Sequence, residues 1–281
     1  PVPKVIILSS LSYEGGEAAI KAFELGALDY VVKPVRSLIT IDAEQMREEL
    51  INKIKSICWS KTGYFPQIKP EYKLPSVDKK VKHKSRSDEY LKYIVAIGTS
   101  TGGPKALQEV VTKLPKDIPA AVLIVQHMPP GFTKSLANRL DSLSEINVKE
   151  AEDGDVLTSG WAYVAPGNYH MLVKSHEDNK YKILLNSEAP ENGLRPSVNV
   201  MMKSVAETGH DKIIAVIMTG MGSDGSEGIL EIKNAGGKTI AQDERTCVVY
   251  GMPKSAVNTG AIDTIAPLHG ITGEILKCMG V

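Results

Sequence analysis

Three short polar segments carry residue types that together could break an acyl bond: Gly98-Thr99-Ser100-Thr101-Gly102-Gly103-Pro104, Gln126-His127-Met128-Pro129-Pro130 and Thr219-Gly220-Met221-Gly222-Ser223-Asp224-Gly225. A serine hydroxyl is a weak nucleophile until a base takes its proton. Histidine, with an ordinary pKa of about 6.5, suits that task near neutrality, and a carboxylate can fix the imidazole tautomer and stabilise the imidazolium. Each segment directly follows an apolar run, at 94–97, 122–125 and 214–218. In an open parallel α/β sheet reactive groups gather beyond the carboxyl ends of the strands, so Ser100, His127 and Asp224 are expected on one rim.

Each residue also has a plainer use. Gly98-x-Ser100-x-Gly102 between a strand and a helix is a nucleophile-elbow pattern; Pro104 suits the first helical turn, and the unpaired N–H groups there can receive an oxyanion. Glycine-rich turns of this kind also cradle phosphate, and taken alone the turn favours phosphate over a nucleophile. It is not a P-loop, because no Gly-Lys-Ser/Thr follows, and Gly98-x-x-x-Gly102-Gly103 is not Gly-x-Gly-x-x-Gly. A lone histidine is more often a surface or satisfied core residue, and Asp224 reads equally as the cap of a helix after Gly225. The chain order Ser, His, Asp differs from the Ser, Asp, His of α/β-hydrolases and argues for another fold family. His170 is a rival base, but it leads into a strand-rich stretch and reads as substrate lip or structural support. Arg195 precedes a helix and would meet either an acidic substrate or a neighbouring carboxylate. His83, His176, His210 and His269 lie in contexts with no partner pattern.

The elements that must position these residues alternate regularly. Strands are expected over 93–97, 120–125, 212–218 and 239–241, with helices over 105–114, 133–143, 197–207, 226–235 and 253–259. Between them, 148–164 and 171–185 are strand-rich, with turns at Asp153-Gly154 and Pro166-Gly167-Asn168. The fold class is therefore α/β: a doubly wound, mainly parallel sheet whose middle stretch is an antiparallel β-hairpin insertion or edge. Ahead of it, a strand at 5–10, a helix near 17–25, a strand at 30–32 and an amphipathic helix at 42–57 read as the end of a parallel α/β domain. Residues 59–92, with prolines at 66, 70 and 75 and the basic run Lys79-Lys80-Val81-Lys82-His83-Lys84, read as a solvated tether. The expected division is 1–58, a linker at 59–92, and a catalytic domain at 93–281.

Composition narrows the partners. Lys plus Arg and Asp plus Glu both number 33 among 281 residues, so no global charge draws the chain to nucleic acid or anionic lipid. No apolar run approaches the roughly 20 residues of a membrane span, and the start of the chain has no basic-then-apolar signal pattern. Cys58, Cys247 and Cys278 have neither a disulfide framework nor zinc-ligand spacing, which fits a reducing cytoplasm.

Taken together, the motifs resemble a known family. Residues 96–104, Val125-Gln126-His127-Met128-Pro129, Tyr163-Val164-Ala165-Pro166-Gly167, Arg195-Pro196-Ser197-Val198, residues 218–225, Gln242-Asp243-Glu244 and residues 247–253 look, in order, like the catalytic domain of chemotaxis protein-glutamate methylesterases, over about 93–279. The resemblance implies Ser100 as nucleophile, His127 as general base and acid, and Asp224 as the orienting carboxylate. It also implies the Met221 backbone N–H as an oxyanion donor, with Thr101 in support beside the nucleophile. The implied substrate is the glutamate γ-methyl ester on the helical cytoplasmic region of chemoreceptors, with deamidation of selected glutamines in some members, and no metal or organic cofactor. A departure is Asn199, where an acidic residue is common, so no ion pair is carried over to that position.

Residues 1–58 resemble the last part of a flavodoxin-like response-regulator receiver. Ser9 occupies the switch hydroxyl position and Lys33, before Pro34 with its expected cis bond, matches the lysine that pairs with the phosphoryl group. Neither Asp29 nor Asp42 has the context of the phosphoacceptor. The intact receiver would take phosphate from a chemotaxis histidine kinase and cover the catalytic cleft until phosphorylated. With part of that cover gone, phosphorylation control is not expected in this chain, elevated basal activity is, and 1–58 is expected to fold poorly alone. Two other classes remain open: a phosphate or nucleotide binder using the glycine-rich turns, and a non-catalytic adaptor that docks receptors.

Overall fold

The structure is a computed structural model that describes residues 3–33, 41–59, 91–176 and 180–280. The cis bond expected at Pro34, and most of the tether expected over 59–92, lie outside the described residues.

The apolar runs form strands because they are buried on both faces, the environment that suits continuous Val, Ile and Ala sequence. The strands of the large sheet are β3 (Tyr93–Thr99), β4 (Ala120–Gln126), β5 (Asn147–Glu150), β6 (Trp161–Val164), β9 (Ile213–Ile217), β10 (Lys238–Gln242) and β11 (Thr264–Ala266). They make one sheet in the order β11-β10-β9-β3-β4-β6-β5, and every pair is parallel. Alternate residues face opposite layers: Val95, Ile97, Val122 and Ile124 join one hydrophobic cluster, Ile94, Ala96, Leu123 and Val125 the other. The first layer is covered by α3 (Gly103–Val111), α4 (Phe132–Leu143) and α8 (Ile271–Met279), the second by α5 (Val198–Glu207), α6 (Ser226–Asn234) and α7 (Met252–Asn258). The chain enters at central β3, builds outward through β4, then returns to β9 on the other side of β3. Connections diverge there, and in open α/β sheets the carboxyl ends of the strands at such a point, here β3 and β9, are where ligands bind.

The doubly wound parallel sheet with an antiparallel hairpin is as expected, with one refinement. Among the strands of the described residues, β7 (His170–His176) and β8 (Lys180–Asn186) form the one antiparallel pair, as a separate two-stranded sheet. The other strands of the middle stretch, β5 and β6, extend the parallel sheet, because α4 before β5 and the connection over 151–160 before β6 each return the chain to the same end. β11 and α8 were not anticipated. β11 is three residues long with Ile265 exposed, so it lacks a strand pattern, but Ile271, Ile275 and Met279 of α8 do sit at helical spacing on a buried face.

Near the start of the chain, β1 (Ile6–Ser9) pairs in parallel with β2 (Asp29–Val32), joined by α1 (Tyr13–Glu24) and followed by α2 (Ile41–Trp59). Ser12 caps α1 by accepting from the Gly15 N–H. This unit shares a core with the large sheet: Ala19, Ile20, Phe23, Ala27 and Tyr30 fall in one cluster with Phe132, Leu136 and Leu140 of α4. The Tyr30 and Phe132 rings lie 5.1 Å apart, and Arg139 pairs with Glu24 across the same contact. Among the described residues no helix is long and apolar enough to cross a membrane.

Phe132 is wholly buried where the two units meet. Phe132→Ala is expected to lower unfolding stability by about 3–5 kcal/mol, from lost transfer energy and the cavity left behind. Denaturant unfolding checks this, and a loss below about 1 kcal/mol would contradict the packing described.

Candidate active site

The last registered pair of β3 and β4 is Thr99 opposite Gln126, so Ser100 and His127 are the next residues on neighbouring strands. The His127 N–H donates to the Thr99 carbonyl at 3.3 Å, and the Ser100 N–H to the Thr219 carbonyl at 3.0 Å, on the chain just past β9. The serine turn is held from below. Its carbonyl accepts from the Gly103 N–H at 2.8 Å and from Gln126 Nε2 at 3.0 Å, while Thr99 Oγ1 donates to Gln126 Oε1. Gly102 has φ 78°, and a Cβ there would come within 2.6 Å of the Val248 side chain, so the turn needs glycine on both counts. Pro104 lies in the first turn of α3, as expected.

Asp224 reaches the rim from the loop after β9. It does not cap α6, whose N-cap is Gly225; its carboxylate instead sits at the N-terminus of α5. Oδ1 accepts from Ser197 Oγ at 2.9 Å and from the Asn199 N–H at 3.0 Å. Oδ2 accepts from the Val198 N–H at 2.7 Å and lies 2.7 Å from His127 Nε2. Ser197 is itself the N-cap of α5, accepting from the Val200 N–H. Burial pushes this carboxyl up, but the His127 hydrogen bond and charge, with the Asn199 and Val198 amides, bring it below its ordinary value. The carboxylate therefore stays ionised and fixes the imidazole through Nε2, which leaves Nδ1 as the nitrogen able to take a proton from a hydroxyl. Among the described residues no hydrogen bond joins Ser100 Oγ to the imidazole. Catalytic hydrogen bonds are often looser without substrate and tighten when it binds.

Thr101 and Met221 flank this group. Thr219 ties their loops together, with its Oγ1 donating to the Thr101 carbonyl at 2.9 Å and accepting the Val248 and Val249 N–H groups. Among the described residues the Met221 backbone N–H has no acceptor. The early unit touches the same rim. Thr101 Oγ1 donates to Asp29 Oδ2 at 2.6 Å, the Gly102 N–H to the Leu28 carbonyl at 3.2 Å, the Tyr30 hydroxyl to the His127 carbonyl at 3.4 Å, and Ser56 Oγ to Met221 Sδ at 3.0 Å. Burial, then the charges of Asp29 and Glu49, push the Tyr30 hydroxyl well up, so it remains a donor.

The other candidates lie elsewhere. Ser9 and Lys33 are neighbours at the ends of β1 and β2, where the Lys33 N–H donates to the Ser9 carbonyl at 2.7 Å; Ser9 Oγ turns inward to the Gly15 carbonyl. His170 is buried, with Nε2 at 3.2 Å from the Ala189 carbonyl, in support of its hairpin. Among the described residues Arg195 meets no carboxylate: it donates to the carbonyls of Ser187 and Glu188 and to Asn168 Oδ1, and so braces a loop. Ser197, Asn199, Gln126, Thr219 and Asp29 were missed as contributors. Ser197 alone had a readable signal, a serine directly before an apolar helical pattern.

Parallel topology and reactive groups on one rim define an α/β enzyme. Comparison with known proteins makes the class specific. The sequence profile of the family described as CheB methylesterase matches residues 95–275, and the chain belongs to that family. It is 46% identical over 285 residues to a protein-glutamate methylesterase/protein-glutamine glutaminase of Syntrophomonas wolfei, covering 98% of this chain and 78% of that protein. A protein of the same name from Pyrococcus horikoshii is 44% identical over 281 residues, covering 100% of this chain and 74% of its own length. The crystal structure of the Thermotoga maritima CheB methylesterase catalytic domain superposes with a TM-score of 0.64 at 46% identity, over 67% of this chain and 98% of that domain.

Because the Asp224 carboxyl is lowered in the folded state, its stabilisation is fully present above the ordinary carboxylate value and is lost as pH falls through the lowered one. Asp224→Asn is therefore expected to be less stable than wild type at pH 7, with the gap closing below about pH 4. Unfolding free energies measured across that range check it; a gap independent of pH would contradict the ionised cage.

Proposed function

We propose that this protein is a serine hydrolase that removes methyl groups from glutamate γ-methyl esters on chemoreceptors, the reaction of chemotaxis adaptation. Ser100 Oγ attacks the ester carbonyl while His127 Nδ1 takes its proton. The oxyanion of the tetrahedral intermediate is received by the Met221 N–H, with Thr101 in support. Collapse expels methanol, protonated by His127, and leaves an acyl ester on Ser100. Water, deprotonated by the same imidazole, attacks that ester, returns the proton to Ser100 and frees the glutamate carboxylate. A glutamine side chain would follow the same path with ammonia as leaving group, in keeping with the second activity in the relatives' names.

The observation that carries this reading is the His127 to Asp224 pair at 2.7 Å, one strand position from the Ser100 turn. Neither a phosphate site built on the glycine-rich turn nor an adaptor gives a use to an imidazole held by a buried, ionised carboxylate at this rim.

Residues 28–30 and 56 act, in this reading, as a restraint on the rim, consistent with an early segment of receiver type whose switch positions are Ser9 and Lys33. A chemotaxis histidine kinase would be the phosphodonor to an intact receiver. The receptor's methylated region is cytoplasmic, so the enzyme works in the cytoplasm without entering the membrane.

Methanol release from methylated receptor tests the reaction. Ser100→Ala is expected to lower the rate by about four orders of magnitude or more; a wild-type rate in that variant would end the proposal. The double variant Asp29→Ala, Tyr30→Phe is expected to hydrolyse the same receptor several-fold faster than wild type, because it unties Thr101 and the His127 carbonyl. An unchanged rate would refute the restraint and leave the chemistry standing.

A further inference from the structure

Asn199 is buried in the first turn of α5, with 2% of its surface exposed, beside the carboxylate that orients His127. Its backbone and side chain do separate jobs there. The backbone N–H donates to Asp224 Oδ1 at 3.0 Å. The side-chain Oδ1 accepts from the Gly225 N–H at 2.8 Å and the Gly228 N–H at 3.0 Å, in the first turn of the next helix. Gly225, the N-cap of α6, has no side chain to satisfy these donors, so Asn199 supplies the missing cap from α5.

One residue thus holds Asp224 at both ends, its carboxylate through the backbone amide and its following peptide through the side-chain oxygen. The Asn199 amide is oriented without ambiguity, because Nδ2 donates to Glu191 Oε1 at 3.1 Å. Contact between the helices is too close for the clamp to slide: a Cβ on Gly228 would lie 2.7 Å from Met202 Cβ and 3.2 Å from Asn199 Cα. The charged groups around the amide are the His127 and Asp224 pair on one side, and Glu191, Lys203 and Glu227 on the other. Lys203 lies 3.6 Å from Glu191 and 2.5 Å from Glu227.

We propose that Asn199 is a positioning residue for hydrolysis: by capping α6 from α5 it fixes the Asp224 carboxylate against His127 Nε2. The proposal rests on the hydrolase reading above. Asn199 touches no reacting atom, so its loss should appear in turnover rather than in substrate binding. A neutral amide meets the local charges, since it gives the two N–H groups an oxygen and Glu191 a donor. An aspartate would keep the oxygen but put a second negative charge beside Asp224 and face Glu191 with its own.

The test is steady-state methanol release from methylated receptor, with folded fraction followed by thermal unfolding. Asn199→Ala is expected to lower kcat by about 10–100-fold, as small misplacements of catalytic groups do, with KM within about twofold of wild type. Asn199→Asp keeps the cap and is expected to recover kcat to within about fivefold of wild type, while the acid-side fall of kcat/KM moves to higher pH by about half a unit or more. Asn199→Ala with wild-type kcat, or with a loss no greater than its loss of folded protein, overturns the proposal. So does an Asn199→Asp profile that superposes on wild type, and that comparison decides the matter if the alanine variant does not fold. Wild-type protein with no Ser100-dependent hydrolysis overturns the hydrolase reading and this proposal together; an active wild type matched by Asn199→Ala overturns this proposal alone.

Discussion

A buried carboxylate is costly unless hydrogen bonds replace the water it has lost. Asp224 has four: a serine hydroxyl, two backbone amides at a helix N-terminus and an imidazole. Much of the molecule follows from that requirement. Helix α5 must present its first turn to the loop after β9, and it can do so because Val198, Met201, Met202 and Val205 seat it on the second face of the sheet. The β7–β8 hairpin covers its outer side, where Ser204 Oγ accepts the Val173 N–H at 3.0 Å. The hairpin is remote from the chemistry, yet it supports the helix whose N-terminus keeps the carboxylate charged and still. The helix dipole adds to the same effect, since an anion is favoured at this end.

The serine and histidine are fixed by a different device, the strand register. They follow directly on neighbouring parallel strands, so their separation is set by the sheet, while Gln126 and Thr219 pin the turns through buried hydrogen bonds. The remaining layer belongs to the early unit. Its β2 residues share the hydrophobic cluster of α4 and also reach the residues beside Ser100 and His127. In the restraint proposed above, packing on the first face of the sheet is coupled to access at the rim, because a shift of α1 against α4 would carry Asp29 and Tyr30 with it.

Legibility from sequence followed the range of the interactions. Strands buried on both faces announce themselves as unbroken runs such as Ala120 to Val125, and a polar residue just past such a run is a rim residue by topology alone. Ser100, His127 and Asp224 were readable for that reason. The Asp224 cage was not: Ser197 and Asn199 lie 27 and 25 positions away in sequence, and nothing local to either says which loop they face. Asp224 had a plausible local role as a cap of the next helix, and it does cap a helix, but the preceding one. Asp29 lacks the context of a phosphoacceptor, and its partner, Thr101, is 72 residues distant. The placement of β5 and β6 failed for a topological reason. Their alternation is the same for parallel and antiparallel neighbours, and the two connections that return the chain, α4 before β5 and 151–160 before β6, decide between them. Short β11 carries too few residues for a pattern, whereas α8 has one in Ile271, Ile275 and Met279.

Most depends on the orientation of one ring, in which His127 gives Nε2–H to Asp224 and, in the proposed mechanism, keeps Nδ1 free for the serine proton. Nitrogen-15 NMR of histidine-labelled protein near neutral pH measures this directly, with Asp224→Asn used to assign the signal. The expected result for the neutral ring is a proton on Nε2 and an unprotonated Nδ1. A proton held on Nδ1, or an Nε2 signal indifferent to Asp224→Asn, would contradict it.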